Sequence, residues 1–327
     1  MNIKQKMAER AKPIEKALAE YLEIREPSKL YEAMAHIPLA GGKRLRPVMA
    51  LLTSEMVGGK SEKAIPFATS LEVIHNFTLV HDDVMDDDDL RHGVAACHTV
   101  YGLPTAILAG DSLFSYAFEM ITESEISDEI KAELVRHVAY TVRRIAEGQQ
   151  MDINFEEKET VNTDEYLEMI RLKTSILFGS AAYGGGLIGG ASTEQANELR
   201  QMAIWVGLGF QIWDDYLDAT APAEVLGKPS GSDIRQGKRT LLVIDALNRA
   251  IESERIELIK ILDDKNNSEE DITRAVQIME KSGTLKYCHE GAIRYLDGAR
   301  ETLRKYPEGD ARNTLEELLE YMVTRGH

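Results

Sequence analysis

Residues 79–93 read LVHDDVMDDDDLRHG and place six aspartates within eight positions, directly after an apolar run with helical spacing. Charge runs usually form solvated faces. This aspartate run is poorly suited to a solvated helical face, because aspartate is a weak helix former and like charges four residues apart destabilise a helix. On a helix, Asp82 would face Asp86 and Asp83 would face Asp87. We therefore expect a hard divalent cation, bound by carboxylate oxygens, to offset the repulsion.

A second acidic motif lies in residues 210–218, FQIWDDYLD. It repeats the pattern Asp-Asp-x-x-Asp behind another apolar helical run, so carboxylates at positions i and i+4 recur on a second helix. Facing helices of a bundle can hold metal ions between such carboxylates. Mg²⁺ bound by few carboxylates keeps coordination positions open, which suit phosphate ligands. An EF-hand is excluded at the first motif, because the alternating Asp/Asn pattern, the central Gly and the closing Glu are missing.

Apolar residues recur at three- and four-residue spacing nearly everywhere, as in residues 130–145 and 199–210. Short segments rich in Gly, Pro, Ser or Asp separate the predicted helices, and residues 219–237 are the one extended loop predicted. No linker, repeat or low-complexity segment divides the sequence. These patterns predict a single all-α domain over residues 1–327, with roughly ten core helices.

Composition limits the function further. The formal net charge of −17 argues against nucleic acid or anionic membranes as partners, and the 43% of hydrophobic residues is ample for a sizeable buried core. Cys97 and Cys288 show no metal-like spacing and fit a reducing, cytoplasmic location. The N-terminus reads as an amphipathic helix rather than a signal peptide. Residues 174–193 carry no charge, but their six glycines favour a buried, closely packed helix over a stable membrane insertion.

Two basic segments could supply cations for phosphates. Residues 41–47, GGKRLRP, form a flexible loop that leads into a helix start with free backbone N–H groups. Residues 227–239, GKPSGSDIRQGKR, follow the second acidic motif and could close over a ligand. Either segment alone would more often be a surface loop, but beside two aspartate motifs a phosphate site is favoured.

Together these segments resemble the trans-isoprenyl diphosphate synthases, over nearly the whole chain and in order. The resemblance rests on GGKRLRP, on HDDVMD with the following LRHG, on Lys173-Thr174, on FQIWDDYLD and on the loop that contains Lys228 and Lys238. It implies the all-α prenyl synthase helical bundle around a deep central cavity, a homodimer, and three Mg²⁺ ions at the cavity mouth.

The resemblance also implies roles for individual residues. The metal site would comprise Asp82, Asp83, Asp86, Asp214, Asp215 and Asp218, with Asp82, Asp86 and Asp214 as direct ligands. The allylic diphosphate would be bound by Arg91, Lys173, Lys228 and Lys238. Isopentenyl diphosphate would be bound by Lys43, Arg46, His75 and His92. Lys173, Thr174 and Gln211 would lie near the reacting carbon.

The implied reaction is a head-to-tail condensation. Ionisation of the allylic diphosphate gives a cation, the isopentenyl double bond attacks it, and loss of a proton leaves a chain five carbons longer. Phe77, at the fifth position before the first aspartate, and the smaller Thr78 resemble the archaeal type of geranylgeranyl diphosphate synthase. We therefore expect a C20 product, with a farnesyl (C15) or geranylfarnesyl and longer (C25+) product as alternatives. Phe77 could otherwise be ordinary core packing.

One departure and three competing functions complete the prediction. His92 replaces the family's usual second Arg, which predicts a weaker and more pH-sensitive hold on isopentenyl diphosphate, because histidine is mostly neutral at pH 7. A class I terpene cyclase would use similar aspartates but would not need Lys43, Arg46 and His75. A non-catalytic partner subunit would not need two intact acidic motifs. A structural Ca²⁺ or Mg²⁺ protein would leave the lysine loops unexplained.

Overall fold

Helices dominate this computed structural model, which describes residues 1–156, 158, 160–222, 230–264 and 266–324. In chain order they are α1 (Ile3–Tyr21), α2 (Ser28–Leu39), α3 (Leu45–Met56), α4 (Ile65–Met85), α5 (Cys97–Tyr101), α6 (Leu103–Thr122), α7 (Asp128–Glu156), α8 (Thr163–Ile170), α9 (Ile176–Gly189), α10 (Thr193–Thr220), α11 (Ser232–Arg235), α12 (Leu241–Arg249), α13 (Glu252–Asp263), α14 (Glu269–Lys281), α15 (Thr284–Leu303) and α16 (Asp310–Thr324). The predicted all-α class is confirmed. A hairpin of β1 (Leu90–Arg91) and β2 (Val94–Ala95) was not predicted.

Local sequence signals set several helix starts. Asn2, Asn162 and Ser268 each accept a side-chain hydrogen bond from the backbone N–H three residues on, and the backbone N–H of each cap donates to the side chain at that position. These capping boxes satisfy donors that the first helical turn would leave unpaired. Helix α1, capped by Asn2, buries one apolar face, which confirms the amphipathic N-terminal helix.

The helices fall into two compact units. The first comprises Met1–Val142, Leu177–Gln201 and Lys305–Glu317. Within it, α4 packs against α1, α2, α3 and α6. On α9, a Cβ at Gly184 would lie 2.1 Å from Cζ of Phe67, and one at Gly185 would lie 2.2 Å from the carbonyl oxygen of Ala50. This confirms that the uncharged segment is a closely packed helix; among the described residues, none of the helices is long and apolar enough to cross a membrane.

The second unit comprises Arg143–Ile176, Met202–Arg304 and Leu318–His327. Within it, α12 packs against α8, α13, α14 and α15. The loop predicted for residues 219–237 is wrong at both sides, because α10 continues to Thr220 and Ser232–Arg235 form a helical turn. Residues 223–229 of that loop lie outside the described part of the chain. One domain over residues 1–327 stays a prediction.

Candidate active site

The first acidic motif lies where α4 ends. The helix stops at Met85, Asp86 is its C-cap with a backbone N–H that donates to the carbonyl of Asp82 over 2.8 Å, and Asp87 adopts a φ of +55°. The expected helical pair of Asp83 and Asp87 is therefore wrong, because the helix ends before it includes Asp87. Asp82 is half-buried and Asp86 is exposed, one helical turn apart. Both carboxylates are thus accessible to a ligand.

Asp83 points away from solvent and holds Arg91. Its Oδ1 accepts from Nε of Arg91 over 2.7 Å and from Nη2 of the same guanidinium, which also lies 3.3 Å from Oδ2 of Asp88. Burial raises the pKa of Asp83, and the hydrogen bond and charge of Arg91 oppose that rise. Oδ2 of Asp83 is buried and has no hydrogen-bond partner within the described residues. This buried acceptor fits an indirect role of Asp83 in the metal site, either holding a water or orienting a ligand.

The hairpin that follows α4 presents His92. His92 and Gly93 form its turn with φ of +51° and +79°, a conformation that favours Gly and Asn and tolerates His better than most residues. His92 is exposed. Its pKa is lowered by partial burial and by the charges of Arg91 and Arg44. The imidazole is therefore neutral at pH 7.

A cluster of cations surrounds His75 in the first unit. Burial lowers the pKa of His75 well below its usual range, and the charges of Arg46, His92, Arg91 and Arg44 lower it further. Burial also lowers the pKa of Arg46 to about 10, and its guanidinium lies 4.4 Å over the ring of Phe178. Predicted residues from the loop, from α4 and from the hairpin thus share one electropositive region, which suits an anionic ligand.

Arg44 was not singled out from the sequence, and the structure shows it to be structural. With a φ of +49° it is the N-cap of α3, and it is buried. Its Nη1 donates to Oε1 of Glu72 over 2.7 Å and its Nη2 to the carbonyl of Pro38 over 2.7 Å. Glu72 lies one turn before His75 on α4. This buried pair fixes the loop that carries Lys43, which is exposed, and Arg46.

The second acidic motif lies near the end of α10. Asp214 is half-buried, whereas Asp215 and Asp218 are buried. Oδ2 of Asp218 accepts from the backbone N–H of Asp233 over 3.0 Å, which ties the motif to α11. Burial and the charge of Asp233 raise the pKa of Asp215, and hydrogen bonds from Tyr166 and Gln211 oppose the rise. Asp214 is therefore the most accessible carboxylate of this motif.

Lys173 and Thr174 lie on a π-helical turn, Arg171–Ser175, between α8 and α9. Such turns are rare and recur at functional sites. A Cβ at Gly148 would lie 2.5 Å from the backbone N of Lys173, and one at Gly207 would lie 2.6 Å from Cα of Ser175. Glycine is required at both positions, since any side chain would displace the turn.

Two side chains near this turn, Asp152 and Tyr166, were not identified from the sequence. Nζ of Lys173 lies 2.6 Å from Oδ2 of Asp152, and Oγ1 of Thr174 donates to Oε1 of Gln211 over 3.1 Å. Gln211 in turn donates through Nε2 to Oδ1 of Asp215 over 2.9 Å, and the hydroxyl of Tyr166 donates to Oδ2 of the same carboxylate. The glycine inside the helical run GQQMD, residues 148–152, was the available signal for Asp152.

These residues of the second unit line one cavity of about 130 Å³. Its wall comprises Asp152, Phe155, Tyr166, Met169, Ile170, Lys173, Thr174, Gln211, Asp215, Asp233, Gly237, Lys238, Arg239 and Thr240. Nζ of Lys238 lies 4.0 Å from Oδ1 of Asp233. Lysines, a hydroxyl, an amide and carboxylates thus converge on a space with a partly apolar wall. Lys228 lies outside the described residues.

An aromatic column extends from the first acidic motif. The ring centroid of Phe77 lies 5.3 Å from that of Phe114 on α6, which lies 5.2 Å from that of Phe118. Phe77 is half-buried and also meets the ring of His81 edge-on. Thr78 donates through Oγ1 to the carbonyl of His75. Phe77 is therefore one end of a column of three aromatic rings in contact, Phe77, Phe114 and Phe118.

No group of three or more His, Cys, Asp or Glu side chains is arranged as a metal site in the portions described. The metal ligands and the other site residues stay predictions. The observations that fit them are the accessible carboxylates of Asp82, Asp86 and Asp214 and the buried acceptor atom of Asp83.

Comparisons with known proteins give matches over most of the chain. The family model described as Polyprenyl synthetase matches residues 27–279. The short chain isoprenyl diphosphate synthase of Methanothermobacter thermautotrophicus is 43% identical over 301 residues, 92% of each chain. The geranylfarnesyl diphosphate synthase of Aeropyrum pernix is 41% identical, over 91% of this chain and 95% of the relative. The crystal structure of geranylgeranyl pyrophosphate synthetase from Pyrococcus horikoshii Ot3 superposes with a TM-score of 0.94 at 41% identity, over 99% of this chain and 98% of that one.

Proposed function

This chain belongs to the polyprenyl synthetase family, and we propose that it condenses isopentenyl diphosphate with an allylic diphosphate to give geranylgeranyl diphosphate, C20. The predicted family, fold class and enzyme class are confirmed, whereas the product, the cofactor and the site residues belong to the proposal. The observation that carries the C20 product is the column of Phe77, Phe114 and Phe118.

We propose Mg²⁺ as the cofactor, with Asp82, Asp86 and Asp214 as direct ligands and Asp83, Asp215 and Asp218 in support. When bound, three Mg²⁺ ions would neutralise the departing diphosphate as Lewis acids. Removal of Mg²⁺ with EDTA is expected to abolish condensation, and Asp82→Asn or Asp214→Asn to lower kcat strongly. Far-ultraviolet circular dichroism of each variant controls for unfolding.

The basic side chains of the proposed site are assigned to two diphosphates. Lys43, Arg46, His75 and His92 are proposed to bind isopentenyl diphosphate, since the charges of Arg46 and of the hairpin residues act on His75. Arg91, Lys173, Lys228 and Lys238 are proposed to bind the allylic diphosphate. Arg91 is pre-oriented by Asp83, and Lys173 and Lys238 line one cavity. Thr174 and Gln211 line the same cavity and are proposed to lie near the ionising carbon.

Chain length is proposed to be set by Phe77, because growth along the apolar column would bring the chain against its ring. Phe77→Ser is expected to lengthen the product beyond C20. Tyr116→Leu is a matched control, since Tyr116 is an aromatic residue of α6 that packs edge-on against Tyr21, 5.9 Å away, and is not part of the column. An unchanged product spectrum in Phe77→Ser would remove Phe77 from the proposal.

Purified protein incubated with Mg²⁺, isopentenyl diphosphate and each of the C5, C10 and C15 allylic diphosphates tests the reaction by product length. C20 as the end product supports the proposal. C15 or C25 would replace the product but keep the reaction. A cyclic hydrocarbon from an allylic diphosphate alone would identify a terpene cyclase. No product from any primer by folded protein would leave a non-catalytic partner subunit.

We further propose a homodimer in the cytoplasm. Val100, Leu103, Ile107 and Leu108 are between 41% and 56% exposed on α5 and the first turns of α6. Exposed apolar surface of this kind fits burial against a second copy. Leu103→Glu with Leu108→Glu is expected to halve the mass measured by light scattering, and an unchanged mass would contradict this surface. Cys97 and Cys288 are buried free thiols, as suits a reducing compartment.

A further inference from the structure

Tyr166 is the buried end of a hydrogen-bonded chain that reaches the cavity in the second unit. It is 1% exposed, and its hydroxyl donates to Oδ2 of Asp215. Oδ1 of Asp215 accepts from Nε2 of Gln211 over 2.9 Å, and Oε1 of Gln211 accepts from Oγ1 of Thr174 over 3.1 Å. These hydrogen bonds join α8, α10 and the π turn, and all four side chains line the cavity.

The three hydrogen bonds converge on Asp215, since Tyr166 donates to it from one side and Gln211 and Thr174 donate towards it from the other. Carboxylate oxygens accept, so the amide nitrogen of Gln211 faces Asp215 and the amide oxygen is left facing Thr174. The hydroxyl of Thr174 must then donate its hydrogen to that oxygen. As a result, the positive ends of these dipoles point towards Asp215, and the lone pairs of Thr174 Oγ1 are left for the cavity.

We propose that Tyr166 is a positioning residue for the condensation. Its hydroxyl anchors Asp215, so that Thr174 presents an oxygen lone pair, rather than a hydrogen, to the cavity. A dipole fixed in this direction stabilises a positive charge that develops beside it, without reorganisation during the reaction. The inference rests on the proposed function, since the charge in question is the allylic cation.

Tyr166 is needed because Asp215 is difficult to hold in place. Asp215 is 7% exposed and lies within the charges of Asp233 and Asp214. Without the hydroxyl of Tyr166, Oδ2 would lose the donor that the structure gives it, and the carboxylate could turn away from Gln211. The Gln211 amide could then flip and bring its N–H groups towards the cavity.

The test is Tyr166→Phe, which removes the hydroxyl and keeps the ring. Loss of one buried hydrogen bond is worth up to about 10-fold in rate. We expect kcat to fall by about that factor, with KM for both diphosphates unchanged. Tyr306→Phe is the matched control, because Tyr306 is also buried and its hydroxyl has no hydrogen-bond partner in the described part of the chain.

A second comparison separates positioning from a loss of stability. If Tyr166 acts through Thr174, then Tyr166→Phe should cause no further fall in kcat in a Thr174→Val background. An equal fall in both backgrounds, or an unchanged kcat in the single variant, would overturn the inference. Should Tyr166→Phe not fold, Asp233→Asn removes one charge beside Asp215, and the double variant is compared with Asp233→Asn alone. A wild-type protein that condenses nothing would instead overturn the proposed function and, with it, this inference.

Discussion

Arg91 reaches back from the hairpin to Asp83 and donates to one carboxylate oxygen through both Nε and Nη2. The carboxylate is fully buried, whereas 26% of the Arg91 side chain is exposed. One partner of the pair is thus part of the core, and the other presents its free edge to the surface. The stability of the fold and the proposed binding of the allylic diphosphate therefore depend on the same contact.

Arg91→Met is therefore expected to destabilise the fold as well as to weaken allylic diphosphate binding. It leaves Asp83 buried without its counter-charge, which typically costs about 3–5 kcal/mol. Urea denaturation at pH 7 measures this cost. Asp88→Asn is the control, because Asp88 is the more exposed, 3.3 Å partner of the same guanidinium and should change the free energy of unfolding by less than about 1 kcal/mol. Equal effects of the two variants would refute this account.

His92→Arg is expected to lower KM for isopentenyl diphosphate, because it adds a permanent charge to the region around His75, where the imidazole at position 92 is neutral at pH 7. The backbone has a positive φ at this position, so His92→Asn is the matched variant, because Asn tolerates this conformation and adds no charge. Steady-state kinetics with varied isopentenyl diphosphate distinguish the two. A KM that rises in His92→Arg would count against the proposed role.

Glu72→Gln is expected to weaken both the fold and the loop that carries Lys43 and Arg46. The substitution removes the counter-charge of the buried Arg44 guanidinium, with an expected loss of about 3–5 kcal/mol in the free energy of unfolding. KM for isopentenyl diphosphate should rise at the same time. Glu62→Gln, at an exposed position of the turn before α4, is the control and should alter neither quantity. A stable Glu72→Gln variant with normal KM would show that the pair does not fix the loop.

Acid is expected to destabilise the first unit through His137. Burial lowers the pKa of His137 to about 4, against an ordinary value of 6.5. Between these two pH values, the unfolded chain binds a proton at His137 and the folded chain does not. The free energy of unfolding therefore falls by up to roughly 3 kcal/mol as the pH decreases from about 6.5 towards 4. His137→Gln should flatten this part of the profile of unfolding free energy against pH. Measurements at pH 7 and 8, above the window, are the control; an identical slope in both proteins below pH 6.5 would exclude His137.

The helical class and the two acidic motifs were predictable from the sequence, because apolar periodicity and Asp-Asp-x-x-Asp spacing are local patterns. The hairpin at Leu90–Ala95 was not, since strands of two residues leave no alternation to detect. Arg44 and Arg46 look equivalent in GGKRLRP, and a positive φ at Arg44 decides that one is buried against Glu72. Asp152 and Tyr166 contact residues far along the chain, so single-sequence patterns could not pair them with Lys173 and Asp215.

Gly148 and Gly207, which pack against the π turn, determine how Lys173 and Thr174 are held. At Gly148 and Gly207, neighbouring backbone or Cβ atoms approach within the space that a methyl group would fill. The turn is therefore located by main chain packed against main chain, and side-chain rotamers contribute little to its position. A scaffold of this kind would transmit little of the thermal motion of surrounding side chains, so the backbone of Lys173 and Thr174 would keep its position through substitutions that would displace a turn held by side-chain packing.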